Sequence, residues 1–419
     1  RGLAACRRPA SPSPTVARPL MARRRATSPP TVDPSPDELG VRRGTGVPDA
    51  PRVSIIVLIT AGTDRLLRCL TSIAAAAGGG PSAEILVLAN GTSPAELSSI
   101  ATREDIVLIR STVNHGFGGG CNWAARFARG ARLVFVNDDA LATTGWLQAL
   151  DRALDDDPKI GVAGSRVLLQ DGRLQEAGNV IWRDGSTSHV GRTLPGDEPS
   201  LLERRDCDYV SFCSAMVRRE AWDQAGGFDE RYFPAYYEDA DLCLAVGALG
   251  WRVVCEPASV VIHEEGASTP VHLRHFLSRR SQERFVAKWG NALTRFPERP
   301  TRTTVEAVIA EAMRHPALRG VTAAPQDVEA DSDGNAARGT TEVAAADVLQ
   351  LELRHSMQDV VLKEEYIAAL TGELEAFGAI TLARRRYVAM RRDLGRQARR
   401  SRGLRRLAEW MIARAGRPS

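Results

Sequence analysis

The stretch Tyr236 to Leu242, YYEDADL, sets Glu238, Asp239 and Asp241 behind a pair of tyrosines. Acidic residues favour the first turn of a helix, where each gains about 0.3–1 kcal/mol from the macrodipole. The spacing of Leu242, Leu244, Val246 and Leu249 predicts a helix starting here. The same carboxylates are also of the type that takes a proton from a hydroxyl group, the work of a general base. A second acidic pair stands in FVNDDALATTGW, where Asn137, Asp138 and Asp139 close an apolar run. Hard divalent cations take oxygen ligands, and Mg2+ reaches phosphates through one or two carboxylates. Acids at the carboxyl end of a strand therefore suit a metal and diphosphate site, although a strand-end turn with a helix cap at Thr143 or Thr144 accounts for the same residues. His263 closes SVVIH beside Glu264 and Glu265; its imidazole is a strand-end residue or a ligand according to whether it meets Asp139 in space. In NHGFGGGCN, Gly116 and Gly118 begin a G-x-G-x-x-G spacing, but Cys121 stands at the third glycine position, so the stretch is a poor dinucleotide fingerprint.

These side chains need a scaffold, and it begins at Val53. VSIIVLIT is continuous, apolar and β-branched, as a strand buried on both faces must be. Helical spacing follows in DRLLRCLTSIAAAA, then a strand EILVLAN, a short helix from Pro94, a strand DIVLIR, the glycine-rich loop with its helix, and a strand RLVFVN. This alternation predicts an open α/β sheet with right-handed crossovers, whose ligands lie beyond the carboxyl ends of the strands. Asn90, the 114–122 loop and Asn137 to Asp139 all fall there. Beyond Gly161 come two Asp-Gly turn signals, at 171–172 and 184–185. A strand DYVSFCSAMV, the helix at Glu238, strands WRVVCEP and SVVIH, and a helix from Phe276 to Trp289 complete the domain.

The chain has 419 residues, 43% hydrophobic and 25% charged, which suits a globular protein with one large or two ordinary domains. Its net charge of +4 is uneven. From Arg384 onward thirteen arginines face only Asp393 and Glu409, a local +11 that leaves residues 1–383 at about −7. An acidic body argues against a nucleic-acid partner. Seven single cysteines without C-x-x-C fit a reducing cytosol rather than a disulfide framework or zinc site. No run approaches a membrane span, the N-terminus lacks the apolar core of a secretory signal, and Met21 is an alternative start. Residues 1–50, rich in Pro, Ser and Arg, are expected to be disordered. The domain is expected over 51–295, a helix and flexible linker over 296–341, and a helical basic extension over 342–419. In that extension Leu349, Leu353, Val360, Ile367, Leu370, Leu374 and Phe377 form a seam interrupted by Ser356 and Lys363, suited to a weak coiled-coil dimer or an amphipathic surface helix.

In order along the chain, the apolar strand, NHGFGGGCN, FVNDD, DGRLQEAGNVIWRDGS, GGFDERYFPAYYEDADLCL and VVIHEEGAS strongly resemble the family 2 glycosyltransferases, and among them the rhamnosyltransferase-like bacterial enzymes of cell-wall and surface polysaccharide synthesis. The resemblance covers about Val53 to Trp289. It implies a GT-A fold, with a Rossmann-like nucleotide-sugar-binding sheet joined to an acceptor-binding subdomain. It further implies Asp239 as catalytic base with Glu238 beside it on sugar hydroxyls, and a divalent cation, Mg2+ or Mn2+, on Asp139 and His263. Donor contacts are expected from Asn90, Gly116, Phe117, Asn122, Asn137, Asp138 and Asp139, and sugar or acceptor contacts from Tyr236, Tyr237 and Trp182. Asp241 is expected to cap the helix. The implied partners are a nucleotide-diphosphate sugar and a saccharide acceptor on a lipid carrier.

The chain also departs from the family pattern. The usual Asp-Asn after the second strand reads Ala89-Asn90, the aromatic-Asn after the first reads Thr60 to Gly62, and Ala245 replaces an arginine after the acidic pair. These changes keep two alternatives open, a degenerate non-catalytic scaffold and a nucleotidyltransferase, though only Arg65 and Arg68 supply an early basic loop for the latter. In the tail, Leu404, Leu407, Trp410, Met411 and Ile412 interleave with arginines, as in basic helices that lie on anionic bilayers. The expected location is cytoplasmic, with peripheral contact to the inner face of the plasma membrane as the further expectation.

Overall fold

The computed structural model describes residues 40–60, 62–264, 271–314 and 345–376. The N-terminal segment to residue 39, the linker over 315–344 and the arginine-rich tail from 377 lie outside the described residues.

Among the described residues thirteen strands and eight α-helices follow one another. They are β1 (Val41–Arg43), β2 (Val53–Ile59), α1 (Thr63–Ala76), β3 (Ala83–Asn90), β4 (Val107–Ser111), α2 (Gly116–Ala125), β5 (Arg132–Asn137), β6 (Ala140–Ala142), α3 (Trp146–Asp156) and β7 (Ile160–Leu168). Then come β8 (Leu174–Glu176), β9 (Asn179–Ile181), β10 (Thr187–His189), β11 (Arg205–Asp206), β12 (Ser214–Arg218), α4 (Arg219–Ala225), α5 (Glu238–Ala248), β13 (Arg252–His263), α6 (Val271–Leu293), α7 (Val305–Arg314) and α8 (Ala345–Ala376). One mixed sheet runs β1-β4-β3-β2-β5-β12-β7-β13-β11, with β6 on β13, β8 on β7, and β9-β10 as a separate hairpin.

The strands β4, β3, β2 and β5 are parallel. Alternate residues of β2 enter opposite cores: Ile56 faces the side of α2 and α5, while Val53, Ile55, Val57 and Ile59 face α1 and α3. Two buried faces explain why the run is apolar throughout rather than alternating. On α1, Leu66, Cys69, Leu70 and Ile73 make the inward stripe at helical spacing. The chain moves from β2 outward to β3 and β4, then crosses to the other side of β2 to form β5. That reversal puts a crevice at the carboxyl ends of β2 and β5, where Asn137 stands.

Several boundaries differ from expectation. Residues 41–43 are not part of a disordered segment: β1 pairs antiparallel with β4, Arg43 meets Glu84 at 2.6 Å, and Val47 is buried, because the edge of β4 offers unpaired backbone groups. The stretch after Pro94 forms hydrogen-bonded turns rather than a helix. WRVVCEP and SVVIH are one strand, β13, with an irregularity between Glu256 and Val260. Only the second half of DYVSFCSAMV is strand, as β12. The six described cysteines are free and buried. No described helix is long and apolar enough to cross a membrane.

Candidate active site

The acidic pair Asp138 and Asp139 at the end of β5 forms a tight turn into β6, and β6 pairs with the last residues of β13 so that Ala140 lies opposite His263. This register closes a gap of 124 residues: Asp139 Oδ1 is 3.0 Å from His263 Nε2, and Glu264 N–H donates to the Asp139 carbonyl at 3.0 Å. His263 Nδ1–H donates to Gln175 Oε1 on β8 at 2.9 Å. With Nδ1 carrying the hydrogen, the Nε2 lone pair points at a carboxylate, an arrangement that a proton or a cation between them relieves. Asp138, beside them, has its carboxyl pushed up to about 7 by burial and by Asp139, partly offset by Arg65. Among the described residues no group of three or more His, Cys, Asp or Glu side chains could hold a metal ion; Asp139 and His263 are a pair.

The second acidic cluster opens α5. Tyr236 and Tyr237 both have positive φ, 76° and 72°, a conformation that costs bulky side chains on the order of 1–3 kcal/mol and persists where surrounding structure enforces it. Glu238 is buried with Oε2 lacking any hydrogen-bond partner, and burial next to Asp239 drives its carboxyl well above the usual range. Asp239 accepts the Ala240 N–H at 2.7 Å. Burial and the nearby Glu176 raise its carboxyl to about 7, while His189 acts in the opposite sense.

Asp241 does not cap the helix. The N-cap is Tyr237, without a side-chain bond, and Asp241 points into the core to accept Trp289 Nε1–H at 2.7 Å, Tyr232 O–H at 3.0 Å and Lys288 Nζ–H at 2.7 Å. Neither Thr143 nor Thr144 caps α3, which begins after a left-handed Gly145.

Asp139, Asp239 and Glu176 all lie close enough to the buried Cys213 thiol to help burial hold its proton on. Glu176 and Gln175 had no signal at the sequence level beyond being a polar pair in a short strand after an Asp-Gly turn.

The other expected donor contacts are spent inside the fold. Asn90 Oδ1 accepts the His115 N–H at 2.8 Å and its Nδ2 donates to the Gly116 carbonyl at 3.0 Å, so it shapes the glycine turn. Asn122 clasps Phe228 through both backbone groups, at 2.8 and 2.9 Å. Phe117 N–H donates to the Pro234 carbonyl at 2.7 Å, and its ring packs on Phe228. Gly116 has φ 70° and no room for a side chain against that same carbonyl. Of the expected sugar platforms, Tyr236 is half-buried and Tyr237 packs on Phe285. Trp182 is buried to 1% exposure with its Nε1–H on Ser188, so it belongs to the core and not to an acceptor surface.

Residues 54–225 match the family model described as glycosyl transferase family 2. A protein named O-antigen biosynthesis protein RfbC, from Myxococcus xanthus, is 34% identical over 257 residues, 58% of this chain and 20% of its own length. An N-acetylglucosaminyl-diphospho-decaprenol L-rhamnosyltransferase from Mycobacterium tuberculosis is 31% identical over 148 residues, 33% of this chain and 48% of its own. The chain thus spans less than half the length of these relatives. The solved structure of GalNAc-T7 with UDP, GalNAc and Mn2+ superposes with a TM-score of 0.48 at 13% identity, covering 59% of this chain and 49% of that one.

Proposed function

We propose that the chain, whose residues 54–225 match the glycosyl transferase family 2 model, has the GT-A arrangement of that family and transfers a sugar, with inversion, from a nucleotide-diphosphate sugar to a hydroxyl group of a saccharide acceptor in cell-wall or surface polysaccharide synthesis. The observation that carries this reading is the pairing of Asp139 with His263 at the carboxyl-end crevice of the sheet, with Gln175 of β8 bonded to that histidine. Asp239 takes the proton of the acceptor hydroxyl. The acceptor oxygen bonds to the anomeric carbon, and the bond from that carbon to the diphosphate oxygen breaks on the opposite face. Glu238, buried and without a hydrogen-bond partner at Oε2, is the proposed holder of a sugar hydroxyl. Asp139 and His263 would hold the divalent cation, Mg2+ or Mn2+, which neutralises charge on the departing diphosphate. Residues 137–139 are the proposed donor side, and Tyr236 the proposed sugar contact. The relative named for a diphospho-decaprenol substrate supports a lipid-linked acceptor, and the arginine-rich tail supports peripheral membrane contact.

A panel of sugar nucleotides, with and without Mn2+ or Mg2+, tests the proposal through nucleotide release. Metal-dependent turnover of one donor is expected. Asp239→Asn should lose about 10²–10⁴ in rate with donor affinity unchanged, whereas Asp139→Ala should lose metal-dependent nucleotide binding by calorimetry. Turnover indifferent to metal and to Asp239→Asn overturns the reading. A non-catalytic scaffold is the second reading, favoured by Ala89, which is wholly buried where the family places a nucleotide contact; failure of the whole panel supports it.

A further inference from the structure

Helix α6 divides its residues between two faces. Leu277, Ser281, Phe285 and Trp289 turn into the body. On the other face Phe276, Arg279, Arg280, Glu283 and Arg284 follow helical spacing and, with Glu365 of α8, line a groove. Its volume is about 430 Å3, within the roughly 300–1,000 Å3 of ligand pockets. Arg280 is engaged: it pairs with Glu365 and donates to the Phe233 carbonyl at 2.8 Å. Arg284 gives an N–H to a neutral acceptor, the Arg231 carbonyl, and Arg279 is exposed. Among the described residues neither Arg279 nor Arg284 forms an ion pair, and Glu283 is the further carboxylate on this face. Burial and the neighbouring Arg280 push the Arg284 guanidinium below its ordinary range, against the pull of Glu365. An anion in the groove would relieve that crowding of like charge.

The groove adjoins the loop that runs into Glu238 and Asp239. Arg280 holds this loop at Phe233, and Ser281 Oγ–H donates to the Ala235 carbonyl at 3.4 Å. Phe276, which lines the groove, and Tyr236, the proposed sugar contact, both pack on the cluster of Phe233, Leu277 and Leu362. Guanidinium forks match phosphate oxygens in pairs, so two of them on one helix face suit two linked phosphates, and the Phe276 ring suits an attached hydrocarbon. We propose that the groove between α6 and α8 binds the diphosphate of a lipid-borne saccharide acceptor through Arg279 and Arg284. This assignment rests on the transferase reading, in which the donor diphosphate lies at residues 137–139 and leaves this second set of cations for the acceptor. No bond forms or breaks in the groove; it anchors the carrier.

Calorimetry on the full chain tests this, with farnesyl diphosphate and inorganic pyrophosphate as probes. Sugar nucleotide and divalent cation are left out, and salt at about 0.15 M screens the arginine-rich tail. Farnesyl diphosphate should bind about tenfold or more tighter than pyrophosphate, through its hydrocarbon. Arg279→Gln and Arg284→Gln should each weaken that binding about tenfold. Glu283→Gln removes a repelling charge and should tighten it roughly threefold, a gain that a merely structural role does not produce. Arg279 and Glu283 are exposed, so their variants should keep the parental melting temperature. Affinity unmoved by Arg279→Gln and Glu283→Gln overturns the site, and equal affinity for the two probes overturns its assignment to a lipid carrier. Metal-dependent turnover of a sugar nucleotide without farnesyl diphosphate binding removes the groove alone. Groove binding with no turnover of any donor leaves the diphosphate site standing and removes the transferase reading instead.

Discussion

Asp241 lies two residues from the proposed base, yet its carboxylate belongs to the core. It joins Lys288, Trp289 and Tyr232, and Lys288 also reaches Asp229 at 2.9 Å. Removing one charge of a buried ion pair costs roughly 3–5 kcal/mol, far more than an exposed helix-end acid. Asp241→Asn should therefore lower the melting temperature by about 6–10 °C while turnover per folded molecule persists; a shift below about 2 °C would show that the hub contributes little. The Asp239 carboxyl is raised to about 7 by burial and Glu176. A base acts only when ionised, so turnover should fall along an acid limb centred near pH 7. The sign for stability follows from the same shift. The folded state holds this proton more tightly than the unfolded chain, whose carboxyl titrates near 4, so the stabilisation is complete below about pH 4 and fades as pH rises through about 7. Denaturant midpoints of the parent and Asp239→Asn should converge at the acid end of that window; parallel curves across it would contradict the raised carboxyl.

At the level of elements, the glycines of α2 and the placement of α8 explain each other. A Cβ on Gly120 would stand 2.6 Å from Leu58 Cδ2, so this glycine serves close packing of helix on sheet rather than a phosphate cradle. Gly119 lies under the His355 ring of α8. His355 is wholly buried, contacts His115 through Nδ1, donates Nε2–H to Glu230 at 3.1 Å and stacks on Phe233. Hydrogen-bonding runs from Ser111 to His115, at 2.6 Å, and on to His355. Burial and the neighbouring His355 depress His115 to about 3, which keeps the His115 imidazole neutral. Leu362 packs with Phe233 and Leu277, and Glu365 pairs with Arg280. The face of α8 that meets the body thus carries His355, Ser356 and Leu362, not the leucine seam, and Leu353 of that seam is exposed. His355→Ala leaves the buried His115 and the part-buried Glu230 without this partner, a cost of about 1–3 kcal/mol. Amides of 353–371 should then exchange about tenfold faster or more, while β2 and β3 amides hold their rates. Unchanged exchange in α8 would mean that the other contacts suffice to seat it.

For the molecule as a whole, charge is distributed unequally. Residues 1–383 carry about −7 and the segment from Arg384 about +11. An acidic body is repelled by an anionic bilayer, so the proposed membrane contact depends on the tail, at about 1 kcal/mol per basic residue near the surface. The full chain should sediment with anionic vesicles at low salt and be released as ionic strength rises, whereas a chain ending at residue 376 should stay in the supernatant. Equal recovery of the two in the pellet would remove the tail from any role in docking.

The sequence by itself determined the features that depend on near neighbours. Continuous β-branched runs could only be strands buried on two faces, helical spacing in 64–77 could only bury one stripe, and acids at Glu238 to Asp241 fitted a helix start wherever that helix packed. The acidic ends of β5 and α5 were legible for the same local reason. Tertiary structure decided which of those side chains meet. Asp139 and His263 became a pair through the β6-β13 register, and Glu176 joined Asp239 only because β8 folds back on β7. It also turned Asn90 and Asn122 onto backbone groups, Trp182 into the core and Asp241 onto Lys288. Propensity and periodicity act over a few residues, whereas these roles are set by which distant element presents a donor, a charge or a gap to the side chain. A polar residue beside a turn reads the same whether it binds a substrate or fastens a loop, and the partner across the fold makes the difference.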